Sequence, residues 1–151
     1  MLIAHPRRLI YLLGGFTHYL GQTLAASAAW EAILAAYREG TVVAGSSAGA
    51  MVLCEHYYDP VGARVVAGLG LLSRACVLPH HNTFGKNWAP RLAGWLPDHL
   101  LLGIDERTGI LDDGPAHLWT VHGQGTVTLY RGSQRAVIRS GESFPLEETP
   151  R

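Results

Sequence analysis

Cysteine is scarce in this chain. Cys54 and Cys76 are the only two among 151 residues, and no Cys-x-x-Cys spacing joins them. A disulfide framework and a zinc ribbon are thereby disfavoured, leaving two buried free thiols in a reducing compartment as the expectation. Excess charge of one sign is also missing: twelve basic residues balance twelve acidic ones, and charged residues make up 16% of the chain. No global field draws the protein toward nucleic acid or an anionic membrane, so a small neutral or zwitterionic partner is expected. Long apolar runs are absent, and nothing approaches the roughly 20 apolar residues of a membrane span. The run at residues 9–13 follows two arginines but ends too soon, at Gly14-Gly15, to be a signal-peptide core. The expectation is a soluble, cytoplasmic protein with neither internal repeats nor low-complexity tracts. A hydrophobic content of 48% over this length is enough for one domain with a sizeable core, placed at residues 1–146, with 147–151 as a frayed tail.

What the chain does have is a strand that runs into a sharp turn and then a helix. Residues 41–44 are β-prone or small and apolar, Gly45-Ser46-Ser47-Ala48-Gly49 follows, and Ala50-Met51-Val52-Leu53-Cys54 continues as a helix. Ser47 sits at the centre of a G-x-S-x-G pattern, the layout of a nucleophile elbow. A serine in a strained tip conformation needs small neighbours, which Gly45, Ala48 and Gly49 provide, and the Ala48 amide at the helix start is placed to meet an oxyanion. A plain flexible strand-to-helix loop would carry similar residues.

The remaining pattern alternates strand and helix. Residues 8–13 read as a strand buried on both faces, and residues 17–38 as a helix in two pieces, with Gly21 and Ser27 as candidate breaks and Gly40 as the stop. This β-α-β arrangement requires parallel pairing with 41–44. Residues 57–72 read as irregular, 75–78 as a strand, 87–96 as a helix with Trp88, Leu92 and Trp95 on one side, and 100–104 as a strand. Beyond that, short segments near 109–112, 118–122, 126–130 and 136–139 are separated by Asp-Gly, His-Gly and Arg-Gly turns, which predicts hairpins.

Gly14-Gly15, Ser47, His80-His81 and Asp105-Glu106 each follow the carboxyl end of a predicted parallel strand, the edge where open parallel sheets gather ligands. Serine needs a base, imidazole supplies one, and a carboxylate fixes the imidazole tautomer. Ser47, His80 and Glu106 fill those roles in chain order. The residues alone leave His81 open as the base, and Asp105 or Glu106 open as a simple turn cap. They also leave open a metal held by His80, His81 and a carboxylate, although adjacent histidines on an extended segment point to opposite faces.

Gly14-Gly15-Phe16-Thr17, Gly45-Ser46-Ser47-Ala48-Gly49-Ala50, Gly68-Leu69-Gly70-Leu71-Leu72, Pro79-His80-His81-Asn82 and Gly103-Ile104-Asp105-Glu106 together resemble the successive motifs of the serine peptidases that include aspartyl dipeptidase and cyanophycinase. The resemblance implies a three-layer α/β fold with a mostly parallel sheet, flavodoxin-like or class I glutamine amidotransferase-like, with C-terminal hairpins. It implies a Ser47–His80–Glu106 triad, an oxyanion hole from the Gly15 and Ala48 amides, and Gly14, Thr17 and His81 beside the substrate. The implied reaction is hydrolysis of short peptides, Asp-containing dipeptides among them, through an acyl-enzyme without metal or organic cofactor. Family members carry further β-α units before the Gly-Gly loop, so a shortened sheet is expected, with an edge that a second copy of the chain would cover as a homodimer. A catalytically inactive homologue, or an esterase or amidase on the same triad, is the alternative. Leu78-Pro79-His80-His81-Asn82 also departs from the Asp-Gln-His-Phe of cyanophycinases, which disfavours cyanophycin cleavage. His18, Lys86 and Arg91 are candidates for a substrate carboxylate, with a solvated surface role as the alternative for each.

Overall fold

The computed structural model describes residues 8–113, 115 and 117–146; the expected frayed tail at 147–151 lies outside the described residues. In chain order the elements are β1 (Leu9–Leu12), α1 (Thr17–Leu24), α2 (Ala28–Arg38), β2 (Val42–Gly45), α3 (Ala48–Leu53), β3 (His56–Asp59), β4 (Arg64–Ala67), β5 (Ala75–Leu78), a 3-10 turn (Gly85–Trp88), α4 (Ala89–Trp95), β6 (Leu100–Ile104), β7 (Thr108–Leu111), β8 (Leu118–Gly123), β9 (Thr126–Arg131), β10 (Gln134–Arg139) and β11 (Ser143–Pro145).

The β1-α1-α2-β2 unit pairs in parallel as its connection demands, with Leu9 opposite Val42 and Leu12 opposite Gly45. Its helix breaks at Ala25–Ser27, where Ala26 takes φ 54° and the Ser27 hydroxyl accepts from Trp30 N at 3.1 Å, a side-chain cap that starts α2. Gly21 is no break. It lies inside α1, where an added Cβ would stand 2.7 Å from the Tyr57 hydroxyl, so it allows close packing.

The strands do not form one parallel sheet. β5 and β6 pair in parallel, but β9 joins the other edge of β6 antiparallel and β10 continues from it, giving the order β10-β9-β6-β5. β11-β8-β7 and β3-β4 make separate antiparallel sheets. Among the described residues, β2 pairs with β1 alone and β5 with β6 alone. The segment expected to be irregular holds the β3–β4 hairpin, with Asp59 opposite Arg64; Pro60 and Gly62 make its turn and obscured two four-residue strands on either side.

The core gathers around β5 and β6, whose Cys76, Leu78, Leu101 and Leu102 are essentially inaccessible, with Val52 from α3, Leu92 from α4 and Val127 from β9. β1 departs from the expected burial on both faces. Leu12 and Val43 pack against a cluster of Trp30 and Tyr37 from α2 with Leu53 and Leu71, whereas Leu9, Tyr11 and Val42 on the opposite face are 61%, 49% and 49% exposed. Residues 87–96 give a 3-10 turn and then a short helix with Pro90 in its first turn; Leu92 is buried, but Trp95 is exposed and carries the Arg91 guanidinium over its ring. Both cysteines are free and buried, and burial pushes their thiols up, Cys76 to about 12. No helix among the described residues is long and apolar enough to cross a membrane.

A Cβ on Gly49 would collide with the Leu12 carbonyl oxygen, which is backbone and has little room to yield. Gly49→Ala should therefore lower stability by about 1–3 kcal/mol, the usual cost of overpacking, read as a lower urea midpoint at unchanged m-value. Unchanged stability would mean that β1 and α3 are not in this contact.

Candidate active site

Ser47 lies between β2 and α3 with φ 50° and ψ −117°, a region that non-glycine residues enter only under constraint. The constraint comes from both sides. Ser46 N donates to the Leu12 carbonyl at 3.1 Å, Gly49 N to Ser46 at 2.8 Å, and Met51 N to the Ser47 carbonyl at 3.0 Å. Gly45 and Gly49 let α3 turn back onto the strand pair at a separation no Cβ would fit. A Cβ on Gly14 would stand 3.2 Å from Ser47 Cβ, so the Gly-Gly loop abuts the serine. Gly15 takes φ 142°, with open space where a side chain would be. Ala48 is the first residue of α3 and is buried.

Ser47 Oγ lies 3.0 Å from His80 Nε2, and His80 Nδ1 lies 2.7 Å from Glu106 Oε1. With Nδ1–H donating to the carboxylate, Nε2 is left as the acceptor facing the hydroxyl. His80 itself takes φ 51°, and its carbonyl accepts from Thr83 N, Phe84 N and Gly85 N at 3.1 Å each and from Thr83 Oγ1 at 2.9 Å. Phe84 stacks on the imidazole at 5.0 Å between centroids. Asn82 Oδ1 accepts from Glu106 N at 3.0 Å, tying the carboxylate's backbone to the histidine loop. Asn82 and Phe84 received no role from the sequence; Asn82's place directly after the histidine pair was the available signal.

His81 is not beside the substrate space, contrary to expectation. It is buried, with Nδ1 3.2 Å from Asp105 Oδ1 and Nε2 2.8 Å from the Tyr130 hydroxyl. The two neighbours diverge at the bend after β5, where His80 takes φ 51°; Gly103 makes room for His81, since a Cβ there would collide with its ring. The Thr17 hydroxyl donates to Met51 Sδ at 3.6 Å. His18 lies between the Tyr57 hydroxyl and Arg64, at 3.0 Å from each. Arg91 donates to the Tyr58 hydroxyl at 3.4 Å, and Lys86 is exposed.

Ser47, His80 and Glu106 line a cavity of about 720 Å³. Tyr11, Val42 and Ala44 from the uncovered face of β1–β2 contribute to its wall, as do Ile110 and Trp119. Charged groups on the same lining are Asp105, Glu106, Arg107, Asp112 and Asp113. The Trp119 indole N–H is enclosed and has no hydrogen-bond partner among the described residues.

The sequence model of peptidase family S51 matches residues 4–115, a range that holds all three linked side chains. The chain belongs to peptidase family S51. A solved structure of a peptidase from an acI-B1 Actinobacterium resembles this S51 chain with a TM-score of 0.76 and 33% sequence identity, over 91% of this chain and 59% of that one. The S51 chain thus spans about three fifths of that peptidase's length. No curated protein matches the sequence.

Asp105 braces the site from below. Burial works against its charge, but hydrogen bonds from Thr126 N and Thr126 Oγ1, both at 2.9 Å, and from His81 outweigh that cost and hold its carboxyl below the ordinary 3.8. A depressed carboxyl stabilises the fold above its unfolded pKa and loses that contribution as pH falls through the folded value. Asp105→Asn should accordingly be less stable than the parent at pH 7, with the gap narrowing below about pH 4. Paired urea titrations across that range test this, and a gap independent of pH would show that the charge is not what Thr126 and His81 hold.

Proposed function

We propose that this chain is a serine-type peptidase that hydrolyses short peptides, Asp-containing dipeptides among them, on a three-layer, class I glutamine amidotransferase-like scaffold. The observation that carries the reading is the unbroken chain of contacts from Ser47 Oγ through His80 to Glu106 at the wall of a 720 Å³ cavity. In this reading His80 Nε2 takes the Ser47 proton as Oγ attacks the scissile carbonyl. Glu106 steadies the imidazolium, and the amides of Gly15 and Ala48 receive the developing oxyanion. His80 then gives its proton to the leaving amine. Water, deprotonated by the same imidazole, attacks the Ser47 ester and releases the acid, restoring the hydroxyl. The strained backbone of Ser47 supports this assignment because strain of this kind holds the hydroxyl at the tip of the turn.

The cavity chemistry favours a peptide over a purely apolar acyl group. Asp112 and Asp113 offer carboxylates to a free amino terminus, Arg107 offers a cation to a carboxylate, and the Trp119 N–H offers a donor to a backbone carbonyl. An esterase or amidase on the same three residues would need none of these.

A fluorophosphonate probe should label the protein at Ser47, and Ser47→Ala should abolish labelling. Turnover of a dipeptide library with Asp at the first position should fall on the order of 10⁶-fold in Ser47→Ala and by a comparable factor in His80→Ala, since the two act as a unit. An unlabelled, correctly folded protein would mark a non-catalytic homologue. Labelling with ester turnover but no peptide turnover would favour the esterase.

His81→Gln should retain the probe reaction at a reduced melting temperature, because His81 contacts Asp105 and Tyr130 and not Ser47. Loss of labelling at unchanged stability would move the base to His81.

A further inference from the structure

At the amino-terminal ends of β5 and β6, on the rim opposite Ser47, three side chains meet for which the peptidase chemistry has no use. Glu55 follows α3, His56 opens β3, and His99 immediately precedes β6. His56 Nδ1 and His99 Nε2 are 2.9 Å apart, and Glu55 Oε1 lies 3.7 Å from each of those same two atoms. We propose that Glu55, His56 and His99 form a zinc site, with water in the fourth position, that pins the α3–β3 junction to the start of β6.

The distances leave room for a shared cation as well as for a shared proton. One proton between the two imidazoles would satisfy the 2.9 Å contact, but Glu55 Oε1 is too far from either nitrogen for a hydrogen bond and equally far from both. A triangle with sides of 2.9, 3.7 and 3.7 Å has its centre about 2.0 Å from each corner. An ion toward the upper end of the roughly 2.0–2.2 Å at which zinc takes imidazole nitrogen and carboxylate oxygen would sit just off that plane, with its open side left to the water. Two imidazoles and one carboxylate are also a donor set that suits zinc better than magnesium or calcium, which want oxygen alone.

The three groups are held before any ion arrives. The second carboxylate oxygen of Glu55 accepts from Arg74 N at 2.7 Å, which leaves Oε1 facing the histidines. The backbone of Glu55 is fixed by its N–H to Leu72 at 2.8 Å and by its carbonyl, which accepts from Gly68 N at 2.7 Å. His99 N donates to Leu96 at 3.1 Å, and the Arg74 guanidinium is turned onto the Asp98 carbonyl at 3.3 Å. Outer contacts of this kind orient metal ligands. The side chains are 40%, 30% and 13% exposed for Glu55, His56 and His99, so an ion has a path from solvent. The whole of β6, Leu100–Ile104, lies between His99 and Glu106, roughly 13 Å of strand, which sets this site apart from the hydrolytic one.

The test uses untagged protein dialysed against a chelator and titrated with Co²⁺, whose absorption reports coordination. One equivalent should produce visible d–d bands that Zn²⁺ abolishes, and Zn²⁺ should raise the thermal midpoint. His56→Gln and His99→Gln should each weaken Co²⁺ binding by at least about 10-fold and remove the Zn²⁺-induced rise. Ser47→Ala and His80→Gln should bind as the parent does, which keeps this result separate from the fate of the peptidase reading. Should His99→Gln fail to fold by circular dichroism, His56→Gln, at a more exposed position, carries the comparison. No bands at one equivalent, bands that survive in the folded His56→Gln variant, or bands lost in His80→Gln would each overturn the proposal.

Discussion

The backbone at Ser47 is the constraint from which the rest of the site follows. A non-glycine residue held at φ 50° returns to an ordinary conformation unless its neighbours forbid it. Here the β1–β2 pair and α3 forbid it by approaching so closely that Gly45, against α3, and Gly49, against β1, have no space for a side chain. The strain at one residue is thus balanced by packing at two others, and by the burial of Met51, Val52 and Leu53 that anchors α3. The helix is six residues long, too short to persist on its own in water. Its stability is tertiary, so the elbow and the core stand or fall together.

His80 and Glu106 depend on a second piece of the fold, the parallel pair β5–β6. Both strands are buried along nearly their whole length, which fixes where their carboxyl ends emerge. The bend just past β5, with His80 at φ 51°, then sends His80 to the serine and His81 inward, and Gly103 on β6 accommodates the inward ring. The adjacent pair Asp105-Glu106, at the turn after β6, also divides: Asp105 binds Thr126 and His81, whereas Glu106 reaches His80. Two dipeptides that look redundant in the sequence therefore each supply one group to the chain of contacts at Ser47 and one bracing group.

Much of this was legible in advance. The strands at 75–78 and 100–104 coincide with the observed β5 and β6 because continuous apolar runs bounded by turns have few other readings. The β1–β2 pairing followed from the length of its crossover. Less legible were elements whose stability is not local. The β3–β4 hairpin is four residues a side around Pro60 and Gly62, and it persists because Tyr57 and Tyr58 are buried in the core, a contact that neighbouring residues do not announce. The open face of β1 was missed for the same reason, since an apolar run does not say whether one side of it or both are covered.

By itself the sequence determined which chemical groups follow which strands, because turn residues and apolar periodicity act over a few residues and can be read locally. It determined that a serine among small residues follows one strand and that histidines and carboxylates end two others. The choice of His80 over His81, the turning of Thr17 toward Met51, and the meeting of Glu55 and His56 with His99 were decided by tertiary structure. Each depends on which face of an element meets which neighbour, and side chains more than 30 residues apart along the chain acquire a distance from one another only when the core closes.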